Sequence, residues 1–218
     1  MKTTVYLTAG LFLLLAISCT APRLSGDRTA AAASFSPAQR ELVMSADSLT
    51  PLRVFKITDR SDSLLLRKQS EDVRADPNDP VLRRFVSRLY STVRDSMSLG
   101  VGIAAPQVGV LKNIIWVQRF DKEQFPFEVY LNPRIRQYST KTQQCREGCL
   151  SIPGRSDTLN SRAYAILIEY DRLDGSHEIE MVEDFTAVIF QHEIDHLNGI
   201  LYLDHLGEEI AAAKRRER

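Results

Sequence analysis

Cysteine is scarce in this chain: Cys19, Cys145 and Cys149 are the only three among 218 residues, too few for the disulfide framework that staples small secreted domains. Net charge is missing as well. Lysine plus arginine and aspartate plus glutamate stand at 28 each, so the chain lacks the basic excess that argues for a nucleic-acid partner. No lysine followed by serine or threonine closes the segment Gly100–Gln107, which removes a phosphate loop from consideration. The apolar run near the start, Val5 to Ile17, falls short of the roughly 20 residues that span a bilayer comfortably.

That run does suit the apolar segment of an export signal, with Met1-Lys2 before it and Ala16-Ile17-Ser18-Cys19 at its end. A small residue directly before Cys19 resembles the lipobox of bacterial lipoproteins, in which the cysteine is acylated and becomes the new N-terminus. Ala16 is less usual there than leucine, so simple secretion is the alternative. Residues 1–18 read as a signal peptide, and residues 19–45, rich in Ala, Ser and Pro, as a flexible tether. Residues 46–207 then form one domain of ordinary size. Residues 208–218 are a charged tail. The expectation is an exported monomer held to the membrane of a bacterial envelope by lipid on Cys19.

The stretch Gln191-His192-Glu193-Ile194-Asp195-His196 carries the chemistry. On a helix His192 and His196 stand one above the other on a single face, able to reach one divalent ion. Glu193 falls to the flank, where a carboxylate can take a proton from water activated by that ion. A buried amphipathic helix whose histidines merely find hydrogen bonds is the other reading of the same pattern. The third ligand is open among several residues. A metzincin-type protease would place a histidine where this chain has Tyr202, so that class fails. His205, Glu208 and Glu209 lie downstream; upstream, Arg146-Glu147-Gly148-Cys149-Leu150-Ser151 offers a thiol, and a thiolate with two imidazoles leaves a fourth position for water. Cys145 is in tension with that choice, because a Cys145–Cys149 disulfide in an oxidising compartment would remove the ligand.

Around these residues the pattern is mixed. Asp79-Pro80 supplies a cap and a first-turn proline for a helix over 80–97. Strands are expected at 113–118, 127–132, 163–170 and 178–182, with Asp174-Gly175 turning between the last two. The segment 185–197 is apolar almost all round, the mark of a buried central helix, and Gly199 is placed to end it. The fold class is therefore α+β, with small antiparallel sheets packed around a central buried metal-binding helix.

Three segments in order, Gly100-Val101-Gly102-Ile103-Ala104-Ala105-Pro106-Gln107, Glu147-Gly148-Cys149-Leu150-Ser151 and Gln191 to His196, resemble the hallmarks of the peptide deformylases. The resemblance runs from about Asp59 to Leu206. It implies that Cys149, His192 and His196 hold one divalent ion, most commonly Fe2+ with Zn2+ or Ni2+ accepted, and that Glu193 is the general base. It also implies that the Gln107 amide and the Leu150 N–H meet the oxyanion. A formyl-methionyl peptide would lie along Val101 and Gly102, with Val188 and Ile189 lining a side-chain pocket and Arg162 touching substrate. The implied activity is removal of the N-formyl group. An exported location leaves two alternatives: an amidase for another N-acyl substrate, or a non-catalytic metal-binding envelope protein. Intact Glu193 and Gln107 argue against the second.

Overall fold

The computed structural model describes residues 35–96 and 99–216. Helix α1 (Pro37–Met44) comes first, closed by a capping box in which Ser36 accepts from the Gln39 N–H and Gln39 answers on the Ser36 N–H. This corrects the expected tether, whose last part is helix with Phe35 and Val43 buried. Its carbonyls explain why it docks. Arg88, itself buried, donates through Nη1 to Leu42 O at 2.8 Å and Val43 O at 3.1 Å, satisfying helix-end acceptors that would otherwise need water.

Helix α2 (Arg60–Leu66) is capped by Asp59, and α3 (Pro80–Val93) by Asp79, whose carboxylate accepts from the Val81 and Leu82 N–H groups. Leu82, Phe85, Val86, Leu89 and Val93 form the buried stripe of α3. The helix stops at Val93, earlier than the expected residue 97, because the Gly100 N–H bonds to Val93 O at 3.0 Å and draws the glycine loop onto the helix end.

Five strands make the main sheet: β1 (Gly102–Ala104), β2 (Ile114–Gln118), β3 (Phe127–Tyr138), β6 (Ala165–Asp171) and β7 (His177–Glu183), antiparallel in the order β1-β2-β3-β6-β7. Asn132-Pro133 breaks the pairing of β3 with β6, and the register skips from Leu131 to Arg134. Asn132 takes a left-handed φ of 51°, tolerable because its side chain accepts from Val73 N at 2.8 Å and donates to Val73 O at 2.9 Å. The second sheet is the hairpin β4 (Thr142–Cys149) and β5 (Ile152–Ala163). The sequence pattern missed it, since only scattered positions on it are buried.

Helix α4 (Asp184–Leu197) is buried on nearly every side, as expected. Gln191 ties it to β5, donating to Ala163 O at 2.9 Å and accepting from Ala163 N at 3.0 Å. Helix α5 (Tyr202–Arg216) takes up most of the expected tail, and Glu209 accepts from the Asn160 and Ser161 N–H groups at 2.9 Å each. Among the described residues no helix is long and apolar enough to cross a membrane. The signal peptide and Cys19 lie outside the described residues. Gly199 ends α4 at φ 72°, where an added Cβ would sit 2.4 Å from the Arg67 carbonyl oxygen. Gly199→Ala therefore meets both a left-handed backbone and an unyielding neighbour, and is expected to destabilise the fold by about 2 kcal/mol or more, read as a lowered midpoint in urea unfolding.

Candidate metal and catalytic site

One turn of α4 separates His192 from His196, and β4 ends at Cys149 facing them. Their donor atoms all lie within 4.8 Å of one another, and Cys149 Sγ is 3.2 Å from His196 Nε2. One sulfur and two imidazole nitrogens at that spacing fit a tetrahedral divalent cation with a position to spare. Burial alone would raise the Cys149 thiol, but His196 and His192 outweigh it and hold it well below its usual range. A thiolate is the form that ligates.

The competing ligands stand elsewhere. His205 bonds through Nε2 to Asp195 Oδ2 at 2.8 Å, Glu209 is engaged with β5, and Glu208 is exposed. Tyr202 stacks on His192 with ring centroids 6.0 Å apart. Cys145 and Cys149 are both free. Four residues of extended strand place their Cα atoms about 13 Å apart, beyond the roughly 7 Å a disulfide can bridge.

Behind the ligands runs a buried ionic network that the sequence reading did not assign. His192 Nδ1 lies 2.7 Å from Glu147 Oε2, which fixes the imidazole tautomer so that Nε2 is left for a metal. Arg162 Nε and Nη2 donate to the two Glu147 oxygens at 2.7 and 2.9 Å, and its Nη1 donates to Asp195 at 2.7 Å. Burial would raise the Glu147 carboxyl, yet hydrogen bonds from His192 and Arg162 bring it down to about 2. Arg162 was expected against substrate. It is instead 4% exposed, outside the cleft lining, and held by Glu147 and Asp195. Glu147 belongs to the Glu147–Ser151 segment, but its contact with His192 spans 45 residues of sequence and leaves no local signal.

The cleft in front, about 350 Å³, is lined by Leu99–Gly102, Gln107, Arg146–Leu150, and the α4 residues Phe185, Val188, Ile189, His192 and Glu193. The expected substrate-contact residues Val101, Gly102 and Ile189, and Leu150 expected as an oxyanion donor, all line this cleft. Glu193 is 4% exposed, and its Oε2 has no hydrogen-bond partner. Burial pushes its carboxyl up to about 7, against the pull of His192 and His196. Gly102 is the wall beside it, and a Cβ there would fall 2.5 Å from Glu193 Oε1. Gln107 is held by its oxygen, which accepts from the Ala104 N–H at 2.8 Å. Its Nε2 therefore faces Ser151 Oγ at 3.2 Å and Cys149 Sγ at 3.6 Å, which aims its two donors at the ligand cluster. Glu147→Ala is expected to weaken metal affinity by about 10- to 100-fold while leaving the three ligands in place, measured by competition with a chromogenic chelator.

Comparison with known proteins agrees with this geometry. The family model for polypeptide deformylase matches residues 53–211. A peptide deformylase of Desulforudis audaxviator is 40% identical over 153 residues, covering 70% of this chain and 94% of that protein. Among solved structures, a class I type b peptide deformylase from Acinetobacter baumannii, with Met-Ala-Ser bound, aligns with TM-score 0.63 at 31% identity, over 72% of this chain and 98% of its own. The Thermotoga maritima peptide deformylase aligns with TM-score 0.62 at 31% identity, over 71% and 97%. With the motifs, the fold and nearly the full length of these relatives matched, the chain belongs to the peptide deformylase family.

Proposed function

We propose that this protein is a metal-dependent hydrolase that removes the N-formyl group from formyl-methionyl peptides. The observation that carries the reading is the meeting, in one cleft, of the Cys149, His192 and His196 donor set with an unpartnered Glu193 oxygen and the oriented Gln107 amide. Cys149, His192 and His196 would hold the ion, which when bound supplies Lewis acidity and makes water a competent nucleophile near neutral pH. Glu193, with its carboxyl at about 7, is matched to accept the water proton and later deliver it to the departing amine. As the formyl carbonyl turns tetrahedral, Gln107 Nε2 and the Leu150 N–H donate to its oxygen. Strand β1 is an edge of its sheet, so its outer side can pair with an extended peptide at Val101 and Gly102. Val188 and Ile189 give the first side chain an apolar seat suited to methionine.

The finer reading adds Fe2+ as the preferred ion, since one thiolate softens the site, with Zn2+ or Ni2+ able to replace it. We infer further that the protein is an exported monomer anchored by lipid on Cys19, acting on formyl peptides outside the inner membrane. Cys19→Ala is expected to abolish lipid incorporation and to release the protein from the membrane fraction; an intact N-terminus on soluble cytoplasmic protein would end that part of the reading. For catalysis, Glu193→Ala should keep its ion yet lose formate release by well over about 100-fold, because one residue handles two proton transfers. The deciding assay is anaerobic, with iron-loaded protein against formyl-Met and acetyl-Met peptides. Formate from the first alone supports a deformylase, cleavage of both a broader amidase, and turnover of neither a non-catalytic metal binder.

A further inference from the structure

The cleft has one cationic side chain with no anion of its own. Arg146 lines the cleft and is exposed, and its Nε donates to Ser156 Oγ at 2.9 Å. Among the described residues no carboxylate pairs with it. The neighbouring charges are all committed: Arg155 to Asp157 at 2.7 Å, and Glu147 to Arg162 and His192. The Ser156 contact restrains the guanidinium through Nε and leaves both terminal nitrogens free, the fork that receives a carboxylate through two parallel bonds.

Its distance from the chemistry selects the ligand. Arg146 lies three strand residues from Cys149, about 10 Å along β4. The carboxylate of an extended formyl-dipeptide lies about 7 Å from the formyl carbon, and that of a formyl-tripeptide about 10 Å. A peptide laid between the β1 wall and the β4 wall therefore brings its free C-terminus to Arg146 when it is two or three residues long. We propose that Arg146 is a specificity-determining residue that directs this cleft to short formyl peptides ending in a free carboxylate. A chain still attached at its C-terminus presents only a neutral amide at the same place. The proposal rests on the deformylase reading and narrows its substrate class to released peptides.

The test compares kcat/KM for formyl-Met-Ala with a free carboxylate against the same peptide as its C-terminal amide. The natural protein is expected to prefer the acid by about five- to tenfold at low salt, with the preference shrinking as ionic strength rises. The acid-to-amide ratio should fall to about one in Arg146→Ala, drop below one in Arg146→Glu, and survive in part in Arg146→Lys. A ratio near one in the natural protein, or an Arg146→Ala loss equal for both peptides, would overturn the proposal and leave Arg146 a support of the hairpin. Calorimetric binding of the product Met-Ala against Met-Ala amide reads the same preference without turnover. Absence of turnover from metal-loaded protein then counts against the deformylase reading, and equal binding of the two products counts against Arg146.

Discussion

The Glu147 carboxylate is the interaction on which the site depends. One of its oxygens orients the His192 imidazole and both accept from Arg162, so a single side chain joins the metal helix to both strands of the β4–β5 hairpin. Without it, His192 would lose its tautomeric anchor, and Arg162 would become a buried cation with only Asp195 to offset it. Leaving half of such a network unpaired costs several kcal/mol. The hairpin therefore serves to deliver Cys149 and Glu147 to opposite sides of the same histidine.

The network continues outward in alternating sign, from Glu147 to Arg162, from Arg162 to Asp195, and from Asp195 to His205. The Asp195 hydrogen bond raises the His205 pKa from its usual value, which favours the cation at the outer end. Each buried charge is thus neutralised by the next, and α5 is coupled to the back of α4 through the Asp195–His205 contact. His205 is close to the centre yet acts on it only through this chain, which explains why proximity in sequence made it look like a ligand.

The metal helix was legible because an all-apolar run and two histidines one turn apart survive any tertiary context. So was the Asp174-Gly175 turn, where Gly175 takes φ 86°. The β4–β5 hairpin was not, because most of its side chains are polar on both faces and no period of two emerges. Helix α1 was overlooked for a related reason: its Ser36–Gln39 capping box sits at the end of an alanine- and serine-rich stretch whose composition reads as linker, and its burial depends on Arg88 from a distant helix. Arg162 was misplaced because its partners, Glu147 and Asp195, come from a neighbouring strand and from α4, and a position carried over from a family resemblance does not register such pairing.

Two glutamates share this small volume and are almost equally buried, Glu147 at 5% and Glu193 at 4% exposed, yet their carboxyls stand at about 2 and about 7. Burial therefore does not decide their roles; hydrogen-bond partners do. Glu147 receives three donors and stays an anion that positions others. Glu193 has an oxygen with no partner, and Gly102 leaves it room that any side chain would fill. A buried carboxyl without a donor destabilises the fold, and folds retain such groups where a proton must be exchanged near neutral pH. The glycine loop and the helix are thus fitted to each other at Glu193, whose raised carboxyl pKa is the property that the proposed proton transfer requires.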